Sequence, residues 1–198
     1  MHKAEPLKLG TRGSPLALVQ ARAAAAALVA AHGWSENRIE IVPIKTTGDK
    51  VQDRPLAEIG GKALWTKELD RALIAGESDF AVHSAKDMES IRPKAIALAA
   101  ALPRADVREQ IIGVPGLDAL KPGMRVGTTS PRRAAQLLAR VPGLGFVPFR
   151  GNVATRLARI EAGEADATLL ASAGLGRLGM HDVGTPIPVE AMLPAPGQ

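Results

Sequence analysis

Apolar residues recur along this chain with two periods, and the switches between them outline its elements. Residues 7–10 alternate apolar and polar as a short strand does. Ser14 is placed to cap a helix and Pro15 to fill its first position, so a helix is predicted over 16–31, ended by Gly33. A strand is expected over 39–46. A polar, Gly-containing loop follows over 47–61, long enough to be functional rather than merely connecting. Residues 64–75 read as a helix closed by Gly76, 79–83 as a buried strand, and 96–102 as another apolar run. The charged stretch 103–109 lacks periodicity, which places a domain boundary or hinge there. Beyond it, strands are predicted at 110–114, 124–127, 145–149 and 167–171. Helices are predicted at 132–140, after Ser130 and Pro131, and at 153–162, ended by Gly163. From Thr185 onward the chain is Pro-rich and irregular. Alternating strands and helices predict an α/β fold.

The halves echo one another. Gly10-Thr-Arg-Gly-Ser-Pro15 resembles Gly127-Thr-Thr-Ser-Pro131, and Ala75-Gly-Glu-Ser-Asp79 resembles Ala162-Gly-Glu-Ala-Asp166. The offsets, from Gly10 to Gly127 and from Ala75 to Ala162, are 117 and 87 residues. The first half therefore carries extra material, including the loop before Lys62. Two similar α/β lobes with a hinge would form a cleft, and such folds bind ligands at the carboxyl ends of their strands.

Composition narrows the ligand. A chain of 198 residues can build one large domain or two small ones, and 46% hydrophobic with 23% charged residues suits a globular protein. No apolar run is expected to span a membrane; residues 21–31 come nearest, but their Ala richness and Arg22 suit a helix packed on a sheet. The N-terminus lacks the order of a signal peptide, so a cytoplasmic location is expected. The absence of Cys excludes disulfides, thiolate catalysis and Cys-based zinc sites. His2, His32, His83 and His181 show no metal-ligand spacing, so no metal is expected. The net charge of +5 raises nucleic acid as a partner. Aromatics at 3%, no Tyr, and basic residues interspersed with acids favour a small anion instead.

Five turns place Arg or Lys among small residues, four of them leading into predicted helix starts, where free N–H groups attract anions. Thr128-Thr-Ser-Pro-Arg-Arg133 is the strongest: hydroxyls and amides can accept a carboxylate that Arg132 and Arg133 clamp. The plainer alternative is two solvent-facing arginines, although the helix dipole disfavours cations in a first turn. Arg150-Gly151-Asn152, with Arg156 one turn on, repeats the arrangement, as do Arg12 and Ser14 in the first half; each is equally a surface arginine beside a turn. Lys62 either reaches a ligand from the loop or is solvated. Lys86 and Asp87 follow a strand end. Asp87 could stabilise a developing cation or relay a proton, or the two could form a local ion pair. His83 reads as a hydrogen-bonded core residue, and Trp34 and Trp65 as packing.

Together these segments closely resemble the porphobilinogen deaminase (hydroxymethylbilane synthase) family from about residue 7 to the last residue. The matching stretches are Thr11-Arg-Gly-Ser-Pro-Leu-Ala17, Gly60-Gly-Lys62 with Lys67-Glu-Leu69, Ala81-Val-His-Ser-Ala-Lys-Asp87, Val126-Gly-Thr-Thr-Ser-Pro-Arg-Arg133, Arg150-Gly-Asn-Val-Ala-Thr-Arg-Leu157, Ala173-Gly-Leu175 and Leu193-Pro-Ala-Pro-Gly-Gln198. The resemblance implies two similar lobes of mixed sheet flanked by helices, like type II periplasmic binding proteins, with a cleft between them. Residues 1–102 would form the first lobe with an active-site loop at 47–62, residues 103–194 the second, and residues 195–198 the start of a return crossover.

It also implies a transferase that joins four porphobilinogen units head to tail with loss of ammonia, on a dipyrromethane cofactor attached to a Cys. By motif match, Arg12, Ser14, Lys86, Ser130, Arg132, Arg133, Arg150 and Arg156 would bind the carboxylates of cofactor and substrate. Thr128 and Gly151 belong to the same turns, and Lys62 matches the basic residue of the active-site loop. Asp87 matches the catalytic aspartate, which holds pyrrole N–H groups and stabilises positive charge as ammonia leaves.

Three departures qualify the resemblance. Met88-Glu-Ser90 replaces an apolar residue and Pro, and Asp106-Val-Arg-Glu109 replaces a more typical Asp-Pro-Arg-Asp. The chain also stops at Gln198, where the family continues into a third domain bearing the cofactor Cys. A truncated deaminase, inactive alone and without a covalent cofactor, is therefore expected; the alternative is a stand-alone two-lobed module that binds small anions. The family is monomeric, and a sheet edge left unpaired by the early stop would invite self-association.

Overall fold

The computed structural model describes residues 5–46 and 65–198. The predicted loop 47–61 lies outside them. The chain divides into two compact units, one of residues 1–103 with Gly197 and one of residues 104–196 with Gln198.

In the first unit, β1 (Leu7–Arg12) lies between β2 (Ile39–Ile44) and β3 (Phe80–Ala81), and both pairings are parallel. Ser14 caps α1 (Pro15–His32) by accepting the Ala17 N–H at 3.3 Å, with Pro15 at the start of the helix. The helix packs on β1 and β2, where Ala21, Ala25, Leu28 and Val29 meet Leu9, Ile39 and Ile41. By length and composition α1 could cross a membrane, contrary to expectation. Half of its residues are alanines, which let a helix approach a sheet closely.

Helix α2 (Lys67–Ile74) buries Leu69 and Ala72, and the chain then turns at Gly76 (φ 71°). Asp79 clasps β1 at two points: its N–H donates to the Lys8 carbonyl at 2.9 Å, and its carboxylate accepts the Lys8 N–H at 2.8 Å. The strand expected over 79–83 shortens to two residues, which pair with β1. Residues 96–102 form neither strand nor helix, and Leu98 is 78% exposed.

The second unit holds a five-stranded sheet in the order β6-β5-β7-β4-β8. Its strands are β4 (Glu109–Ile112), β5 (Arg125–Gly127), β6 (Gly145–Val147), β7 (Ala167–Ala171) and β8 (Thr185–Ile187). β5 runs parallel to β6 and β7, whereas β4 is antiparallel to β7 and β8. Helices α3 (Pro131–Arg140) and α4 (Val153–Glu161) follow β5 and β6, and α5 (Ser172–Arg177) follows β7 directly. Ile111, Val126, Leu137, Leu169, Ile187 and Met192 form the core.

Three features differ from the sequence expectation. β8 lies in the stretch read as irregular, because Pro186 is tolerated on an edge strand. α5 is hidden in sequence by Gly174 and Gly176. Glu109, read as part of a charged hinge, is the first residue of a central strand.

The sequence echo is a structural one. Asp166 clasps β5 as Asp79 clasps β1: its N–H donates to the Arg125 carbonyl at 2.8 Å and its carboxylate accepts the Arg125 N–H at 2.6 Å. Gly163, at φ 69°, makes the preceding turn as Gly76 does.

Candidate anion-binding site

Where β5 ends, Thr128 extends the pairing with β6 by donating its N–H to the Val147 carbonyl at 2.9 Å. Its hydroxyl oxygen accepts the Ser130 N–H at 3.1 Å, and the Ser130 hydroxyl oxygen accepts the Arg133 N–H at 3.4 Å, capping α3. Arg132 and Arg133 thus occupy the first turn, where the helix dipole opposes them. A buried carboxylate answers both. Arg133 donates from Nε and Nη2 to the two Glu109 oxygens at 3.1 and 2.6 Å, and from Nη1 to the Leu169 carbonyl at 2.9 Å. Arg132 donates to Glu109 and to the Leu193 carbonyl.

The Glu109 side chain is 0% exposed. Burial alone would raise its carboxyl pKa, but the Arg133 charge and hydrogen bonds, aided by Arg132, hold it below its ordinary value. Glu109 was missed as a site residue because a lone acid beside Arg108 reads as solvated. One signal did exist: Glu109 shares strand parity with the core residue Ile111.

The turn after β6 adds further cations. Asn152 caps α4 by accepting the Thr155 N–H at 2.9 Å, and Arg156 donates from Nε to the Gly151 carbonyl at 3.2 Å. Burial pushes the Arg156 guanidinium down to about 10, and the charges of Arg133, Arg150 and Arg159 act in the same direction against Glu109. Arg159 is engaged elsewhere, with Glu164 at 2.7 Å and over the Phe149 ring at 4.0 Å. Half-buried Arg156 thus lies within reach of three other guanidiniums and of the Glu109 carboxylate.

In the first unit, Arg12 ends β1 half-buried, its guanidinium 3.8 Å from the Trp65 ring centroid. Trp65 thus does more than pack. Lys86 and Asp87 lie half-buried on a 3-10 turn (Ala85–Asp87) just beyond β3. The Asp87 N–H donates to the Ser84 carbonyl at 2.9 Å, and the Ser84 hydroxyl donates to Gln20 of α1 at 2.8 Å, so α1 steadies the turn. Past Met88, Arg92 pairs with Glu89 at 3.4 Å and with buried Asp70 of α2. Burial lowers the His83 pKa, with Asp70 opposing and Arg92 and Arg12 reinforcing, so the imidazole is neutral at pH 7.

The structure joins Thr128, Ser130, Arg132 and Arg133 in one network of caps and charges with Glu109, joins Gly151 to Arg156 in a second turn, and lets the Arg133 charge act on Arg156. The Arg150 charge acts on Arg156 likewise. Arg12, Ser14, Lys86 and Asp87 belong to the first unit, and Lys62 lies outside the described residues. Among the described residues, no group of three or more His, Asp or Glu side chains could hold a metal ion.

A family model described as porphobilinogen deaminase, dipyromethane cofactor binding domain, matches residues 7–198. The chain belongs to the porphobilinogen deaminase family. Its relatives named porphobilinogen deaminase include one from Sphingopyxis alaskensis, 58% identical over 98% of this chain and 63% of the relative. One from Paracoccus denitrificans is 51% identical over 98% of the chain and 63% of the relative. A chloroplastic one from Oryza sativa subsp. japonica is 49% identical over 99% and 56%. The chain thus spans less than two thirds of the length of these relatives. The porphobilinogen deaminase domain has a periplasmic-binding-protein-like fold, in keeping with the α/β units described. The matched region is the family's cofactor-binding domain.

Proposed function

We propose that this chain serves a cytoplasmic hydroxymethylbilane synthase of tetrapyrrole biosynthesis, which joins four porphobilinogen units head to tail with release of ammonia. The observation that carries the reading is the gathering of Arg133, Arg150 and Arg159 about half-buried Arg156, beside the Arg132–Arg133 pair at the start of α3, in a chain whose family is described by dipyrromethane binding. Porphobilinogen bears an acetate and a propionate. Arg132, Arg150 and Arg156 of the second unit and Arg12, Ser14 and Lys86 of the first are the groups that would hold such carboxylates. The cofactor, when bound, supplies the carrier on which the pyrrole chain grows. This chain contains no Cys and so cannot itself form the family's thioether link.

Asp87 is the reactive member. As the aminomethyl C–N bond breaks, its electron pair leaves with nitrogen and positive charge spreads into the pyrrole ring. A carboxylate accepting the pyrrole N–H stabilises that charge. Ser84 and Gln20 keep the turn in place while the charge develops. The next carbon–carbon bond forms at the methylene carbon, and the attacking ring carbon then gives up its proton, which Asp87 can relay. The ligand is a small molecule, and neither nucleic acid nor membrane enters the reading.

Calorimetric titration of the chain with porphobilinogen, and separately with succinate, tests this. Porphobilinogen should bind about tenfold tighter or more, and Asp87→Asn should erase that preference by weakening a charge-assisted hydrogen bond. Equal affinities for the two anions would instead mark a generic anion-binding module.

A further inference from the structure

Glu109 is placed where few carboxylates can be. It starts a strand flanked on both sides, opposite Ala171 of β7 and Ile187 of β8, and its side chain is wholly buried. Two of its partners come from the first turn of α3. Arg133 is itself buried and is fixed at three nitrogens, by Glu109 and by the Leu169 carbonyl. Arg132 is less enclosed, its side chain 23% exposed, and is held by Glu109 and the Leu193 carbonyl. A guanidinium on a long side chain has many rotamers, and one that must meet a planar carboxylate gains most from being fixed beforehand. A buried charge pair is weak evidence of added stability, because desolvation offsets much of the attraction. Its retention in a central strand asks for another reason.

We propose that Glu109 is a positioning residue of the carboxylate site: it fixes Arg133 and Arg132 in the first turn of α3, so that a ligand carboxylate meets cations already in place. The inference rests on the reading that the bound anion is a pyrrole carboxylate. Glu109 itself touches no ligand. It acts through Arg132, the more accessible of the two.

The experiment is a double-mutant cycle on the full chain, using Glu109→Gln, Arg132→Gln and both together, titrated with porphobilinogen and with citrate as a second polycarboxylate. Glu109→Gln should weaken porphobilinogen about tenfold, and less than that once Arg132 is already Gln, since coupled residues are non-additive. Glu109→Asp, which keeps the charge, should retain more affinity than Glu109→Gln. The Nε–H resonance of Arg133, expected to exchange slowly in the parent chain, should broaden in Glu109→Gln. An affinity within about twofold of the parent in folded Glu109→Gln, full additivity with Arg132→Gln, or equal losses in the Asp and Gln variants would overturn the proposal. Citrate binding without porphobilinogen binding would sink the pyrrole reading alone, and the cycle would then be read on citrate. Binding of neither anion would overturn both.

Discussion

The junction from β1 to α1 and the junction from β5 to α3 share one backbone plan and hold their cations differently. Each strand reaches Gly-Thr at its end, each helix opens with a Ser cap and Pro, and each strand is clasped by an aspartate after a left-handed glycine. In the first junction the arginine precedes the cap, on the strand, and lies against the Trp65 ring. In the second, two arginines follow the cap and oppose the helix dipole, so a buried carboxylate must answer them. Moving a cation across a helix cap thus changes what the core must contain. An aromatic face lies against the cation on one side, and a buried carboxylate holds the two on the other.

The largest test of that contrast is Glu109→Leu. It leaves buried Arg133 without its counter-charge and should cost about 3–5 kcal/mol in chemical denaturation. Adding Arg133→Met should restore most of that loss, and a double variant as unstable as the single one would show that charge is not the cause. The pH dependence has a definite sign. Because its folded pKa is depressed, Glu109 contributes stability that is present above its ordinary value of 4.5 and is lost as pH falls through the lower folded value. Glu109→Gln should flatten that acid limb.

Next comes the glycine before the threonine at each junction, Gly10 in β1 and Gly127 at the end of β5. A Cβ on Gly127 would lie 2.4 Å from the Phe149 ring, whereas one on Gly10 would meet Ser78 Oγ at 3.1 Å. Gly127→Ala should therefore cost about 1–3 kcal/mol and Gly10→Ala clearly less, as read from thermal unfolding. Equal losses would mean that the two junctions are packed alike after all.

The clasps should be nearly equivalent. Asp79→Ala and Asp166→Ala should each cost about 1 kcal/mol, and a large loss at one with none at the other would break the structural repeat. The smallest effect belongs to the first unit alone. His83 has a lowered folded pKa, so the unfolded chain takes up its proton first, and stability should decline as pH falls from 6.5 toward the folded value. His83→Gln should remove that slope without touching the more acidic limb assigned to Glu109.

Much of this organisation was legible in the sequence because it is local. Ser14-Pro15 and Ser130-Pro131 announce their helices within four residues, and the strand alternation at 7–10 and 39–46 needs no partner to be seen. The basic turns were also visible as candidates. What stayed hidden depends on distant partners. β8 exists because β4 offers it an edge more than 70 residues earlier in the chain. The burial of Glu109 depends on arginines 23 and 24 positions later. Its short side chain carries no mark of burial beyond strand parity with Ile111, and the neighbouring Asp106–Arg108 ion pair makes the stretch look solvated.

The cations of the second unit, half-buried Arg156 among them, are proposed as a socket for pyrrole carboxylates. Titration of porphobilinogen into the parent chain and into Arg156→Gln, with thermal unfolding measured alongside, tests it most directly. Affinity should fall by about tenfold or more in Arg156→Gln without loss of stability, since the neighbouring arginine charges disfavour a cation at this position. An unchanged affinity in folded Arg156→Gln would contradict it.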